Sequence, residues 1–163
     1  RIGTLYVPAE VNSVFYKEQL EATAKRLDLE LEALGVSSSA EVSDAALALC
    51  GRNIDVICQI SDNLTGSTFA SIVQAANKSR IPLIGFPPSQ AERGAFMTLS
   101  TDYYDNGVAS ARLAMRVLNG EDPAHIPFVP VTKTTFTVNL AAASQLGITI
   151  PDSLVNGADK VIR

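Results

Sequence analysis

Hydrophobic positions along this chain follow two patterns: short apolar runs, and longer stretches that carry a single apolar stripe. Residues 56–60 form a short run that is rich in β-branched residues and free of charge, which predicts a buried strand. The polar residues 61–67 follow, and beyond them apolar residues return at the spacing of one helical face. That stripe consists of Phe69, Ile72, Val73 and Ala76. The pattern predicts a central strand whose polar end loop opens a helix, with Thr65 or Ser67 as the cap.

The same alternation of strand and helix patterns fills the first 101 residues. The predicted strands are residues 2–7, 29–36, 56–60, 82–86 and 96–100. Ser38 and Glu41 have the spacing of a capping box at the start of the second helix. Strands that alternate with helices predict parallel pairing and right-handed crossovers. We therefore expect an α/β fold, a three-layer α/β/α sandwich with a mainly parallel five-stranded sheet in the order 2-1-3-4-5.

The pattern changes after residue 101. Residues 104–118 predict a helix whose stripe is Val108, Ala111, Met115 and Leu118, and this stripe needs an apolar partner. Residues 126–138 are extended but contain Pro127 and Pro130, which is typical of an edge or a crossover rather than a central strand. The final residues predict one or two helical turns. We expect a ligand-binding lobe over residues 1–101 and a return segment over residues 102–163.

Composition narrows the class of protein. The chain has 163 residues, of which 47% are hydrophobic and 18% charged, and this balance indicates a compact domain. Its 13 basic and 17 acidic residues give a net charge of −4, and no basic run exceeds two residues, which argues against a nucleic-acid partner. No apolar run approaches the roughly 20 residues of a membrane helix.

Residues that would support catalysis are few. His125, the only histidine, lies in a Pro-flanked loop, and no nucleophile elbow, phosphate-binding loop or dinucleotide-binding motif is present. Cys50 and Cys58 have no nearby histidine and cannot form a zinc site, so we expect two unpaired thiols. The sequence predicts no enzyme, no cofactor and no metal.

Polar residues instead gather where strands one and three are expected to end. The candidate ligand-binding residues are Glu10, Asn12, Ser13, Asp62, Asn63 and Thr65. Ligands bind in open α/β sheets at the carboxyl ends of the strands, where the strand order reverses. A helix N-terminus with hydroxyl groups favours a carboxylate, and Asp62 favours an ammonium group, so the pair suits an amino acid. The alternative is that each residue only caps a helix.

Several short segments, in this order and spacing, resemble a known family. They are YVPAEVNS at 6–13, SDN at 61–63, ERGA at 92–95, DYYD at 102–105 with Gly107, VNL at 138–140 and LGITIP at 146–151. Together they resemble ABC-transporter substrate-binding proteins of the tryptophan/tyrosine type, which have the type I periplasmic-binding-protein fold. The sequence departs from the family at Pro87 and Pro88, where polar or acidic residues are usual.

This resemblance implies two lobes that close on a small ligand, often an aromatic amino acid. It implies an ABC importer with a membrane permease as partner, and an extracytoplasmic place, either periplasmic or as a cell-surface lipoprotein. The chain would cover the second lobe and the return segment, with the first lobe and other residues expected before Arg1. Two alternatives stay open: the ligand-sensing domain of a transcription regulator with the same fold, and a small α/β enzyme.

Overall fold

The computed structural model describes all 163 residues, and its regular elements cover the chain from end to end. The strands are β1 Ile2–Tyr6, β2 Leu31–Gly35, β3 Val56–Cys58, β4 Leu83–Gly85, β5 Met97–Thr101, β6 Thr134–Asn139 and β7 Lys160–Ile162. The helices are α1 Val11–Arg26, α2 Ser39–Cys50, α3 Asn63–Ser67, α4 Phe69–Ser79, α5 Pro88–Glu92, α6 Tyr103–Leu118, α7 Leu140–Gln145 and α8 Asp152–Asn156, with one 3₁₀ turn, Pro123–His125.

All seven strands form one sheet in the order β2-β1-β3-β4-β5-β6-β7. The first five strands pair in parallel in the predicted order 2-1-3-4-5, which confirms that part of the fold. β6 then pairs antiparallel with β5, and β7 pairs parallel with β6. The sheet therefore has two strands more than the five that were predicted, and it contains both parallel and antiparallel pairs.

The two additional strands come from the end of the chain. Residues 126–138 were expected to form an edge or a crossover, but β6 lies between β5 and β7 and is a central strand. Pro127 and Pro130 precede its paired residues, so they remove no hydrogen bond from the ladder. β7 has three residues, which is too short a run to show a period of two along the sequence.

Most of the core lies between the sheet and the helices α2 and α4. Leu5 and Ile57 point from β1 and β3 into this layer, where they meet Leu49 of α2 and Phe69 of α4, and all four are completely buried. A smaller cluster packs α7 and the residues after it against β6. The burial of these apolar side chains is the main contribution to the stability of the fold. It also holds β1 and β3 in place, and with them the edge of the sheet at which both strands end.

The residues between β5 and β6 form an exposed arm. Both strands leave the sheet at one edge, where Thr101 pairs with Thr134. No residue of the arm, 103–133, is buried, and on α6 Met115 is 55% and Leu118 79% exposed. Met115 and Leu118 of its apolar stripe therefore have no partner within this chain, whereas Val108 is half-buried beside Pro130 and Val131. No helix in the structure combines the length and the apolar character needed to cross a membrane.

The start of α2 predicts a pH-dependent contribution to stability. The carboxylate of Glu41 accepts hydrogen bonds from the Ser37 amide and the Ser38 hydroxyl, and these lower the pKa of Glu41 below its ordinary value of 4.5. Because the folded-state pKa is the lower one, the contribution is complete above pH 4.5 and is lost as the pH falls through the folded-state pKa. Glu41→Gln should lower the melting temperature at pH 7, and the difference from wild type should vanish in strongly acidic buffer.

Asp44→Asn is the matched control, because Asp44 is an exposed carboxylate on the same helix that forms no hydrogen bond in the structure. Its melting temperature should follow that of the wild type across the pH range. An identical pH dependence for the two variants would contradict the role of Glu41.

The exposed arm gives a second prediction about stability. Met115→Lys should change the free energy of unfolding of this chain by no more than about 0.5 kcal/mol, as for other surface positions. Phe69→Ala in the core is the contrasting variant and should cost about 3–5 kcal/mol, because it leaves a cavity. Urea denaturation of both variants measures the two values, and a loss above 2 kcal/mol for Met115→Lys would show that α6 is packed after all.

Candidate functional site

A crevice opens at the sheet edge where β1 and β3 end. β1 pairs with β2 over all five residues, from Ile2 to Tyr6, but with β3 over only two, Ile2 and Gly3. The strand order reverses between β1 and β3, so their end loops diverge to opposite sides of the sheet. Hydrogen bonds join the two loops across this point, so the two groups of candidate residues lie side by side at the crevice.

The carboxylate of Asp62 is the centre of these contacts. Its Oδ1 accepts hydrogen bonds from the backbone amide and the hydroxyl of Thr65, at 2.7 and 2.6 Å. Its Oδ2 accepts from the hydroxyl of Ser13 at 2.8 Å, and that hydroxyl in turn accepts from the Val7 amide. Asp62, Ser13 and Thr65 are all buried. These three predicted site residues therefore lie behind the surface of the crevice and hold its two loops together.

Glu10 reaches across the crevice from the other loop. Its Oε2 accepts from the backbone amide and the side-chain amide of Asn63, at 2.9 and 2.8 Å, and its Oε1 accepts from the Leu64 amide at 3.3 Å. Asn12 is exposed beside it, and its Nδ2 lies 3.5 Å from the Ser61 carbonyl oxygen. The structure thus brings all six predicted residues into one group. Glu10, Asn12 and Asn63 are its solvent-accessible members.

The helix after the crevice loop begins differently from the prediction. Asp62 is the cap, not Thr65 or Ser67, and Thr68 interrupts the helix so that α3 and α4 are separate. The first three amides of α3 already donate to Glu10 or Asp62. The expectation that this helix start offers free amides to a ligand carboxylate is therefore wrong, because carboxylates of the chain occupy them.

The charges at the crevice are not balanced by basic side chains. Neither Glu10 nor Asp62 forms a salt bridge, whereas at the opposite end of the sheet Arg1 pairs with both Glu30 and Glu32. A carboxylate has about four acceptor directions, and hydrogen bonds within the chain use three of them on Asp62. The crevice therefore presents two anionic groups that favour a cationic ligand group such as an ammonium.

The loop after β4 provides an apolar border. Pro87 and Pro88 begin α5, with Pro88 at the first helical position, where its missing amide hydrogen is least needed. Neither proline can donate a hydrogen bond to a ligand. The Phe86 ring packs against that of Tyr16, with centroids 5.4 Å apart, and the Phe86 amide donates to Gln90. This loop therefore contributes apolar contact rather than polar groups.

Sequence reasoning missed Gln59. Its side chain is 3% exposed and forms four hydrogen bonds between β1 and the crevice loop. The signal was a glutamine inside an otherwise apolar strand, because a buried side-chain amide is expected to find partners.

Both cysteines are unpaired, as predicted. Burial raises the pKa of the Cys58 thiol to about 11 and also raises the pKa of Cys50. Both thiols therefore stay protonated at neutral pH and are poor nucleophiles and poor metal ligands. His125 is largely exposed, with its Nδ1 3.2 Å from Asp122, away from the crevice loops.

The chain is similar to known proteins in sequence and in fold. A curated relative, the tyrosine-binding protein of Clostridioides difficile strain R20291, is 32% identical over 139 residues, which are 85% of this chain. The crystal structure of an ABC domain in complex with L-Trp from Streptococcus pneumonia superimposes with a TM-score of 0.89, at 30% identity over 99% of this chain. A conserved domain protein from Vibrio cholerae superimposes with a TM-score of 0.91, at 33% identity over 98% of the chain.

This chain is shorter than the proteins it matches. It spans 40% of the curated relative and 56% and 54% of the two solved chains. The family model for ABC transporter substrate binding proteins matches residues 1–162, nearly the whole of the chain. This chain therefore belongs to the family of ABC transporter substrate binding proteins.

Proposed function

We propose that this chain is the second lobe of an extracytoplasmic solute-binding protein that serves an ABC importer and holds an amino acid between two lobes. One observation carries the proposal. The crevice has two carboxylates without a basic partner and lies at the carboxyl ends of the strands, which is also the edge from which the exposed arm 103–133 departs. A second body that binds the arm would lie over the crevice.

The arm supplies the argument for two lobes. α6 has an amphipathic pattern but no buried residue, and Met115 and Leu118 of its apolar stripe have no partner in this chain. In the intact protein, α6 packs against the first lobe, and residues 134–163 return to the second. This extends the predicted division into a lobe over residues 1–101 and a return segment over residues 102–163. Closure of two lobes around a ligand is a common transition of binding proteins.

The groups at the crevice suit the amino end and the side chain of an amino acid. The negative charges of Glu10 and Asp62 attract the ligand ammonium. The side-chain amides of Asn12 and Asn63 each donate one hydrogen bond within the chain, and the second hydrogen of each exposed amide is left for the ligand carboxylate. Ser13 and Thr65 hold the carboxylate of Asp62 in place. A tyrosine-binding protein and a protein solved with L-Trp are among the relatives, which supports an aromatic side chain on the ligand.

The remaining parts of the proposal follow from the family. The partner is the membrane permease of an ABC transporter, and the protein acts outside the cytoplasmic membrane, in the periplasm or as a cell-surface lipoprotein. Binding and release, rather than a chemical reaction, would be its activity. No nucleic acid is needed, in keeping with the net charge of −4.

The role of Asp62 is tested with the intact protein. Asp62→Asn should weaken the affinity for L-tryptophan or L-tyrosine about ten- to a hundredfold, because it removes the charge that an ammonium needs, worth about 1.5–3 kcal/mol. The melting temperature should change little, since Asn keeps an oxygen for Thr65, and its amide group can donate to the Ser13 hydroxyl. Calorimetric titration alongside thermal melting measures both effects.

Asp122→Asn is the matched control, because Asp122 also caps a helical turn through its side chain but lies outside the crevice loops. It should leave both affinity and melting temperature unchanged. An unchanged affinity in Asp62→Asn would show that Asp62 only caps α3, and Glu10 would then be the partner of the ammonium.

The two-lobe proposal also predicts weak binding by this chain alone. An intact protein with a Kd of about 1 μM gains about −8.2 kcal/mol, and half of that free energy corresponds to a Kd of about 1 mM. Titration of residues 1–163 with L-tryptophan and L-tyrosine should therefore give affinities about a thousandfold weaker than those of the intact protein. Submicromolar binding by the isolated chain would contradict an enclosed site between two lobes.

A further inference from the structure

The side chain of Gln59 occupies the place where the pairing of β1 with β3 stops. The backbone ladder between these strands ends at Gly3 and Ile57. Two residues further along β1, the Leu5 amide donates to Gln59 Oε1 at 3.3 Å, and Gln59 Nε2 donates to the Leu5 carbonyl oxygen at 3.0 Å. The side-chain amide therefore offers Leu5 the same donor and acceptor pair as a backbone peptide of a neighbouring strand.

The same amide continues into the crevice loop. Gln59 Nε2 also donates to Thr65 Oγ1 at 3.0 Å, and the Thr65 hydroxyl donates to Asp62 Oδ1 at 2.6 Å. The direction of these bonds is consistent, because the Thr65 hydroxyl accepts from an N–H group while its own hydrogen points to a carboxylate. A reversed amide would bring its NH₂ group against the Leu5 N–H, so the partners themselves fix its orientation.

We infer that Gln59 is the positioning residue of the crevice: its amide separates the ends of β1 and β3 and sets the place of the Asp62 carboxylate through Thr65. Two chains of donors converge on this carboxylate, one from Val7 through Ser13 and one from Gln59 through Thr65. The second chain starts in the core of the sheet, where Gln59 is 3% exposed, so its geometry is rigid.

An apolar side chain at position 59 would fill the same volume without this function. Gln59→Met keeps the length of the side chain but removes both partners of the Leu5 backbone and the donor to the Thr65 hydroxyl, which keeps only its bond to Asp62. The ends of β1 and β3 would then either separate or move closer together. The loop from Ser61 to Thr65 would lose the hydrogen bond from Gln59 and keep the one from Ser13. The effect is therefore local to the crevice.

Amide hydrogen exchange measured by NMR on the 163-residue chain tests this role. In Gln59→Met, exchange at Leu5 and Thr65 should accelerate at least tenfold more than exchange at Ala142, whose amide is held by Asn139 at the start of α7. Asn139→Leu is the matched control, a buried amide replaced by an apolar side chain, and it should give the opposite pattern. Equal acceleration at both places in either variant would reveal a general loss of stability and would overturn the inference.

The variant Gln59→Glu adds a test by rescue. Its neutral carboxylic acid has one donor and one acceptor for Leu5, but its carboxylate has no donor. Protonation restores a donor to the Leu5 carbonyl oxygen, so protection at Leu5 should return as the pH is lowered, while Gln59→Met shows no such recovery. A response that is the same in both variants would contradict the hydrogen-bonding role.

A final measurement connects Gln59 to binding and rests on the proposed function. In the intact protein, Gln59→Met should weaken the affinity for L-tryptophan about tenfold, and Asn139→Leu should leave it unchanged. An effect of equal size in both variants would overturn the positioning role. Absence of binding by the wild type to both L-tryptophan and L-tyrosine would refute the proposed ligand class, while the exchange pattern would still decide the role of Gln59.

Discussion

A buried carboxylate, that of Asp62, is the interaction on which the crevice depends. A charged group that is 7% exposed is unfavourable unless hydrogen bonds replace its hydration, and three bonds from Ser13 and Thr65 do so here. Their donors belong to two loops that are about fifty residues apart in sequence. The need to satisfy one charge therefore holds together the ends of two strands that the topology of the sheet drives apart.

Glu10 and Asp62 have a structural role in the loop, and the proposed function gives them a second role. Glu10 and Asp62 occupy the first amides of α3, which fixes the loop, and they leave two negative charges without a basic partner at the crevice. A carboxylate that caps α3 can therefore also contact a ligand. Since the chain itself satisfies the amides of α3, the crevice presents acceptors rather than donors, which suits the ammonium group of the proposed ligand.

The molecule has two regions that differ in how well their polar groups are hydrogen-bonded and how far their apolar side chains are buried. The sheet and its helices bury their apolar residues, and the polar network at the crevice is nearly saturated. The arm from 103 to 133 has the reverse character, because α6 exposes Met115 and Leu118 and no apolar layer covers them. The boundary between the two regions falls at Thr101 and Thr134, where β5 and β6 leave the sheet together.

The sequence by itself determined the α6 stripe and the polar residue types at the crevice, because periodicity and capping are local properties. It also predicted the parallel order of the first five strands, because strands that alternate with helices follow a common topology. Tertiary structure decided which groups meet. Asn63, the partner of Glu10, lies 53 residues away in the sequence. The positions of acidic residues along the chain therefore do not reveal that Glu10 accepts hydrogen bonds from the amides of α3. β6 became a central strand because β5 offered it an open edge, although Pro127 and Pro130 suggested otherwise. Gln59 was only one residue of the predicted strand 56–60, because its partners appear only when β1 and Thr65 are brought beside it.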